Sequence, residues 1–265
     1  MNNKIGIFDS GVGGLTVLNQ LLNNFSDQVF LYYADSGRAP YGNRSKEELL
    51  LFNKQIINFL LDQKIKLLIM ACNTSCALVL EEISSSVSIP IIDLINPAAK
   101  FTAKSTANKK VAVLATKQTI ASGVYQKRIL QIDSSINVLG LACPELVPIV
   151  ENCRINEPET KVIVAKYLQQ IVDFGADTII FGCSHYPYFE PILRELDLEK
   201  QIVNYVDPAK CVVSEVGKHL TLIASGKVNQ LHFWVSGNVE KFRNFISTYF
   251  AWPKYDFIPH YFNET

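Results

Sequence analysis

The segment Lys66-Leu-Leu-Ile-Met-Ala-Cys72-Asn73-Thr74 has the pattern that decides the fold of this chain. An apolar run without polar alternation is typical of a strand buried on both faces of a parallel sheet. Residues 75–84, which follow at once, have the composition of a helix. The segment therefore predicts one strand–helix unit of an α/β fold, with polar side chains and a thiol at the end of the strand.

The same unit recurs along most of the chain. Strands are predicted over residues 4–8, 29–34, 66–71, 89–94, 111–115, 138–142, 178–181, 203–206 and 231–235. Helical segments separate them, one starting at the capping box Ser45-Lys-Glu-Glu48 and another covering 159–174. Turn-rich breaks at Asn96-Pro97 and Asp207-Pro208 predict two α/β domains, of which 1–97 plus 209–265 is the first and 98–208 the second. Pro144 is expected in the first turn of a helix.

Composition excludes several classes of protein. The 265 residues are 48% apolar and 19% charged, with 25 basic and 25 acidic side chains. A chain without net positive charge lacks the surplus of Lys and Arg that neutralises phosphates, so no nucleic-acid partner is expected. No run approaches the roughly 20 apolar residues of a membrane span, and the first strand begins without a secretory signal. We expect a soluble, cytoplasmic protein without a membrane partner.

A second segment repeats the pattern of the first. Asp177-Thr-Ile-Ile-Phe-Gly-Cys183-Ser184-His185 again has an apolar strand, a small residue, a cysteine and polar side chains. Ligands of open α/β sheets bind at the carboxyl ends of the strands. The repeat therefore predicts a small molecule held between Cys72 and Cys183, one thiol from each half of the chain.

The other cysteines and the histidines show no such arrangement. The chain has six cysteines and four histidines, with no Cys-x-x-Cys pair and no cluster with the spacing of metal ligands. We predict no metal site and no disulfide framework, and we interpret Cys76, Cys143, Cys153 and Cys211 as structural.

Two glycine-containing loops follow the first two strands. Asp9-Ser10-Gly-Val-Gly-Gly14 reads either as an anion cradle at a helix N-terminus or as a tight turn. Its glycine spacing fits neither a dinucleotide fingerprint nor a P-loop, which favours a small carboxylate as ligand. The loop 35–43 either presents Tyr41 and Gly42 to a ligand or is turn chemistry around Pro40.

Two thiols facing one ligand admit three chemistries. A Cys–His hydrolase uses one thiol as nucleophile and leaves the second unexplained. A redox pair favours cysteines close in sequence, which are absent. The third uses one thiolate as base and the other thiol as acid on opposite faces of a carbon acid, and it accounts for both. No cofactor signature is found, so donors such as Asn73, Thr74 and Ser184 would stabilise the carbanion, with Asp9 and His185 as proton-handling neighbours.

The chain resembles the aspartate/glutamate racemase superfamily, and within it the enzymes that act on glutamate. Five motifs carry the resemblance: Phe8-Asp9-Ser10-Gly11 with Gly13-Gly14-Leu15; Asp35-Ser36 with Pro40-Tyr41-Gly42; Ala71-Cys72-Asn73-Thr74; Cys143-Pro144 with Val147-Pro148 and Glu151; and Gly182-Cys183-Ser184-His185-Tyr186-Pro187. The family usually has Thr where this chain has Ser184, which keeps the hydroxyl and loses a methyl group.

The resemblance implies a cofactor-independent isomerase that interconverts L- and D-glutamate and supplies D-glutamate for the peptidoglycan of the bacterial cell wall. It implies two flavodoxin-like, doubly wound parallel-sheet domains related by pseudo-symmetry, with the site in the cleft between them and frequent pairing into homodimers. By the family's pattern Cys183 removes the proton from L-glutamate and Cys72 from D-glutamate, assisted by His185 and Asp9 respectively. The substrate-site residues it implies are Asp9, Ser10, Tyr41, Gly42, Asn73, Thr74, Ser184 and His185. Glu151 matches an acidic position of the family without an assigned role.

Three alternatives remain at this stage. An aspartate racemase would differ in the room left for the distal carboxylate, and Ser10 with Pro40-Tyr41-Gly42 favours glutamate. An amino-acid-binding protein without activity would need neither thiol. A Cys–His amidase predicts very different effects for the loss of Cys72 and of Cys183.

Overall fold

The computed structural model describes residues 4–25, 28–220, 230–252 and 256–260. Its strands follow the predicted apolar runs to within one or two residues at most ends. They are β1 Lys4–Asp9, β2 Val29–Ala34, β3 Ile65–Met70, β4 Ile91–Asp93, β5 Lys110–Ala115, β6 Asn137–Ala142, β7 Thr178–Gly182, β8 Asn204–Val206, β9 Gln230–Val235 and β10 Asp256–Pro259. The last of these was not predicted.

Helices connect the strands in the way that parallel pairing requires. They are α1 Leu15–Asn24, α2 Lys46–Asp62, α3 Asn73–Ser84, α4 Ile95–Ser105, α5 Lys117–Ser122, α6 Val124–Ile132, α7 Leu146–Glu151, α8 Pro158–Phe174, α9 Glu190–Leu196, α10 Pro208–Leu220 and α11 Val239–Tyr249. Short 3₁₀ turns cover Tyr41–Asn43 and Tyr186–Phe189. The predicted capping box is present, because the side chains and backbone N–H groups of Ser45 and Glu48 bond reciprocally at the start of α2.

The strands form two parallel sheets with related strand orders. One has the order β10-β9-β2-β1-β3-β4 and the other β6-β5-β7-β8. Within each sheet, the first four strands in chain order are arranged 2-1-3-4, the flavodoxin-like order. This confirms the predicted fold of two doubly wound parallel sheets. The repeated segments are equivalent, since Cys72 and Cys183 each follow the third strand of their sheet.

The core explains why the strands lack polar alternation. Along β2, Phe30 and Tyr32 pack into one apolar cluster while Leu31 and Tyr33 pack into another on the opposite face. Both faces of the strand are therefore buried under helices, as expected for a parallel sheet. None of the helices described is long and apolar enough to cross a membrane.

Two local predictions need correction. Asn96 and Pro97 lie in the first turn of α4 rather than in a loop, because Asp93 accepts the N–H groups of Ile95 and Asn96 and because proline is tolerated in a first turn. Pro144 lies in the turn before α7, which begins two residues later at Leu146.

Candidate active site

An open cleft of about 610 Å³ lies between the carboxyl ends of the two sheets. Residues from both halves of the chain line it: Ser10, Pro40, Tyr41, Gly42, Asn43, Cys72, Asn73, Thr74, Thr116, Lys117, Pro144, Val147, Pro148, Cys183, Ser184 and His185. All the predicted site residues except Asp9 are among them. The two cysteines singled out by the sequence repeat share this one cleft.

Cys72 connects β3 to α3 and is 4% exposed. Burial, together with the nearby negative charge of Asp9, raises the pKa of its thiol to about 12. Cys72 is therefore held as a thiol at neutral pH in this arrangement.

Cys183 has a different partner. Its Sγ lies 3.8 Å from Nδ1 of His185, and Nε2 of His185 lies 2.8 Å from Oε1 of Glu151. Burial alone lowers the pKa of His185, but the hydrogen bonds and charges of Cys183 and Glu151 outweigh it and raise the pKa well above its ordinary value. Burial is the largest single influence on Glu151 and raises its pKa. The hydrogen bond and charge of His185, the N–H of Val12 and the charge of Lys241 together outweigh it and lower the pKa. These shifts favour an imidazolium at His185 paired with the carboxylate of Glu151.

Asp9 ends β1 and lies beneath the cleft, fully buried. Its carboxylate accepts hydrogen bonds from the N–H of Gly11 at 3.0 Å and from Oγ of Ser184 at 3.1 Å. Burial raises the pKa of Asp9, although the charge of His185 opposes the rise. Asp9 and Ser184 thus join the two halves of the chain directly under the site.

The glycine loop of β1 approaches the opposite half closely rather than cradling a ligand anion. A Cβ at Gly13 would lie 2.3 Å from both Nδ1 of His185 and Oγ of Ser184, and a Cβ at Gly11 would lie 2.3 Å from Oε1 of Glu151. The N–H of Val12 donates to Glu151 at 3.3 Å. The anion-cradle interpretation is therefore wrong for the amides of Gly11 and Val12, which bond carboxylates of the protein itself.

Polar side chains on the other side of the cleft form a second network. The hydroxyls of Thr74 and Thr116 lie 3.0 Å apart, and Thr116 also bonds Thr119 at 3.0 Å. Tyr125 donates to Oδ1 of Asn73 at 2.6 Å, while Nδ2 of Asn73 is buried without a protein partner. This amide is oriented by Tyr125 and has a free donor at the cleft.

The side chain of Tyr41 is fixed by a hydrogen bond to Asp35. Its hydroxyl donates to the fully buried carboxylate of Asp35, which also accepts Nε of Arg38 at 2.7 Å and Oγ of Ser236 at 2.8 Å. Since the phenol is committed to Asp35, Tyr41 contributes ring surface and backbone to the cleft.

Sequence reasoning missed Thr116, Lys117 and the role of Glu151. The strand-end rule could have found Thr116, because it follows β5 directly, as Ser10 follows β1. The contact of Glu151 with His185 joins positions 34 residues apart and has no local signal in the sequence.

The remaining cysteines lie apart from this chemistry. Cys76 is buried in α3 and donates to the carbonyl of Met70, as expected for a packed thiol. Cys143 is buried, Cys211 is half-buried and Cys153 is exposed. Over the part of the chain that the structure describes, no group of three or more His, Cys, Asp or Glu could hold a metal ion.

Comparison with known proteins gives a consistent result. A family model described as Asp/Glu/Hydantoin racemase matches residues 10–216. A glutamate racemase of Gloeothece citriformis is 41% identical over 243 residues, which is 91% of this chain and 86% of that protein. The structure of a glutamate racemase isoform from Bacillus anthracis is similar with a TM-score of 0.92 at 30% identity, covering 97% of both chains. Glutamate racemase from Francisella tularensis, solved in complex with D-glutamate, has a TM-score of 0.88 at 27% identity and covers 99% of this chain and 98% of that one.

Proposed function

The chain belongs to the Asp/Glu/hydantoin racemase family, and from this premise we propose that it interconverts L- and D-glutamate, without a cofactor, by a two-base mechanism. The observation that carries the proposal is the pair of buried thiols, Cys72 and Cys183, which come from equivalent strand ends and line the same cleft. A hydrolase or a simple binding protein needs only one such thiol or none.

In the direction from L-glutamate, the Cys183 thiolate removes the α-proton and the Cys72 thiol donates its proton to the opposite face of the same carbon. One C–H bond breaks and another forms, and the two sulfurs exchange protonation states. The arrangement suits this direction, because burial keeps Cys72 as a thiol and because the His185 imidazolium lies 3.8 Å from Sγ of Cys183, the atom that receives the proton. Glu151 holds His185 in the charged form.

In the reverse direction Cys72 must first lose its proton. Asp9, whose charge raises the pKa of Cys72, has itself a raised pKa. A proton on Asp9 removes the negative charge that disfavours the Cys72 thiolate. We therefore assign to Asp9 the control of Cys72, and to His185 the control of Cys183.

The donors around the cleft bind the substrate and stabilise the developing carbanion. Asn73 offers its unpartnered amide and Ser10 its hydroxyl. The hydroxyls of Thr74 and Ser184 already bond Thr116 and Asp9, so their oxygens accept from the ammonium of the substrate. Tyr41 and Gly42 form the wall for the side chain of the substrate. Because Asp35 occupies the phenol of Tyr41, this wall acts through backbone and ring.

Proton NMR of L-glutamate with the purified protein in D₂O, without added cofactor or metal, tests the proposal when circular dichroism is followed in parallel. Loss of the α-proton signal together with decay of the optical signal to zero is the expected result. Exchange of the α-proton of L-aspartate but not of L-glutamate would point to an aspartate racemase. No exchange with either amino acid would contradict the proposed racemase activity. The variants C72A and C183A should each abolish full interconversion, whereas a Cys–His amidase would tolerate the loss of Cys72.

The physiological setting belongs to the same proposal. D-glutamate made in the cytoplasm would enter peptidoglycan synthesis, so the gene should rescue a bacterium that requires external D-glutamate. The two halves, 1–97 plus 209–265 and 98–208, form the lobes that enclose the substrate, and the protein acts as a homodimer. Analytical ultracentrifugation of the purified protein measures whether it is a dimer.

A further inference from the structure

The proposed reaction creates an electrostatic problem in the cleft. Glutamate arrives with two carboxylates and one ammonium, while Asp9, Glu151 and one thiolate already place negative charge around the reacting carbon. Among the described residues that line the cleft, only His185 and Lys117 carry cationic groups at neutral pH. His185 is committed to Cys183 and Glu151. Of the described residues that line the cleft, this leaves Lys117 as the cation that can balance the incoming dicarboxylate.

Lys117 lies at the rim of the cleft. It is exposed, whereas Cys72 and Cys183 are buried. It follows Thr116 at the start of α5, and α5 is fixed against the Tyr41–Asn43 turn by the hydrogen bond from Nε2 of Gln118 to the carbonyl of Arg44 at 3.2 Å. A Cβ at Gly42 would lie only 2.9 Å from Cβ of Thr116. The backbone of Lys117 is thus fixed beside Tyr41 and Gly42, the wall assigned to the substrate side chain.

The ammonium of Lys117 lacks a carboxylate partner among the residues that the structure describes. In the described part of the chain, Lys117 makes no ion pair within 4.0 Å. The charges of Lys117 and Lys166 both lower the pKa of Glu145, and Glu145 is already engaged by the hydroxyl of Tyr167. The lysine is therefore available to a ligand.

We propose that Lys117 draws the side-chain carboxylate of the substrate into the cleft and holds it at the rim, which makes it a specificity residue for dicarboxylic amino acids. This inference rests on the proposed function. A charge in a narrow cleft focuses its field and raises the rate of association with an oppositely charged ligand, and salt weakens that effect. Lys117 does not touch the α-carbon, so its effect falls on KM and on selectivity, and the proton transfers are left intact.

The test compares Lys117→Met with Lys166→Met, a matched control that also faces Glu145 but does not line the cleft. For K117M we expect KM for L- and D-glutamate to rise about tenfold, kcat to stay within about twofold, and the salt dependence of kcat/KM to flatten. K117R should have a KM close to that of the wild type, and K117E should have a higher KM than K117M. K166M should match the wild type in all respects.

Selectivity provides the second readout. L-Glutamine has the same length but a neutral side chain, so K117M should lose preference for glutamate over glutamine in α-proton exchange. Active K117M with unchanged KM, salt dependence and selectivity would overturn the inference while leaving the proposed function intact. A K117M variant in which kcat falls equally for L- and D-glutamate while KM is unchanged would also overturn the inference. A wild-type protein that does not racemise glutamate would overturn the proposed function, and the inference with it.

Discussion

At the scale of single residues, the contact between Glu151 and His185 connects packing to acid–base chemistry. The carboxylate lies 2.8 Å from Nε2 of His185 and raises the pKa of the imidazole, so E151Q should lower that pKa. Imidazolium would then be lost at lower pH, and the basic limb of the pH–rate profile should move to lower pH. We expect kcat to fall about 10–100-fold, more strongly from L- than from D-glutamate, because His185 serves Cys183.

Rates measured over pH in both directions check this prediction. E195Q is the matched control, since Glu195 is exposed and pairs with Lys161 instead of with His185. A basic limb that stays in place in E151Q would show that Glu151 only fills space.

Gly13 is a second residue at which the addition of a single methyl group should reduce activity. A methyl group there would lie 2.3 Å from both Nδ1 of His185 and Oγ of Ser184, so G13A must displace one of these groups. We expect activity to fall at least about 100-fold with a modest loss of stability, because a displacement of about 1 Å in an active site has costs of this size.

The control for G13A is G217A in α10. Among the described residues, a methyl group at Gly217 would meet only Phe25, at 3.8 Å, and alanine is favoured in a helix interior. G217A should therefore keep full activity and gain about 0.5–1 kcal/mol of stability in urea unfolding. Near wild-type kinetics in G13A would contradict the close approach of the glycine loop to His185.

At the scale of elements, the end of β9 fixes the loop that carries Tyr41. Oγ of Ser236 donates to Asp35 at 2.8 Å and accepts the N–H of Gly37 at 3.0 Å. S236A leaves both groups without this partner, which costs about 1–3 kcal/mol of stability. We expect KM for glutamate to rise several-fold with little change in kcat, because the loop loosens while the thiols stay in place.

Steady-state kinetics and urea unfolding of S236A measure these two effects. S236T keeps the hydroxyl and should restore the wild-type KM, and S247A, on the exposed face of α11, should change neither quantity. Loss of kcat at unchanged KM would place the effect of Ser236 on the chemistry instead of on the loop.

The same element shows what the sequence can and cannot predict. The run at β9 was recognisable because it is apolar, and its partner β2 was recognisable for the same reason. Their pairing, which brings Ser236 to Asp35 across 201 positions, leaves no local trace. The thiols at the ends of β3 and β7 were predictable, because ligands of open α/β sheets bind at the carboxyl ends of the strands and the repeated segment places one cysteine at such an end in each sheet. Lys117 and Glu151 were not, because their roles depend on contacts between segments far apart in the chain: Lys117 lies beside the Tyr41–Asn43 turn and Glu151 bonds His185.

At the scale of the whole molecule, Asp207 lies where the chain leaves the second sheet for α10, which packs on α1 beside the first sheet. Burial raises its pKa to about 6, against the opposing effects of the N–H of Ala209 and the charge of Lys210. The folded protein therefore binds this proton more tightly than the unfolded chain does. Its contribution to stability is complete below pH 4, is lost as pH rises from 4 to 6, and does not return above pH 6.

Replacing the carboxyl should recover that loss. D207N keeps an oxygen to accept the N–H of Ala209 and cannot ionise, so it should be more stable than the wild type at pH 8 by up to about 3 kcal/mol, with a much smaller difference at pH 4. Urea unfolding at a series of pH values measures the difference. D133N should instead be less stable than the wild type at pH 8. Hydrogen bonds from Ser135 lower the pKa of Asp133 to about 2, so its ionised carboxylate stabilises the folded wild type at neutral pH. A gain in D207N that does not vary with pH would mean that packing, and not the buried charge, limits stability where the two halves of the chain join.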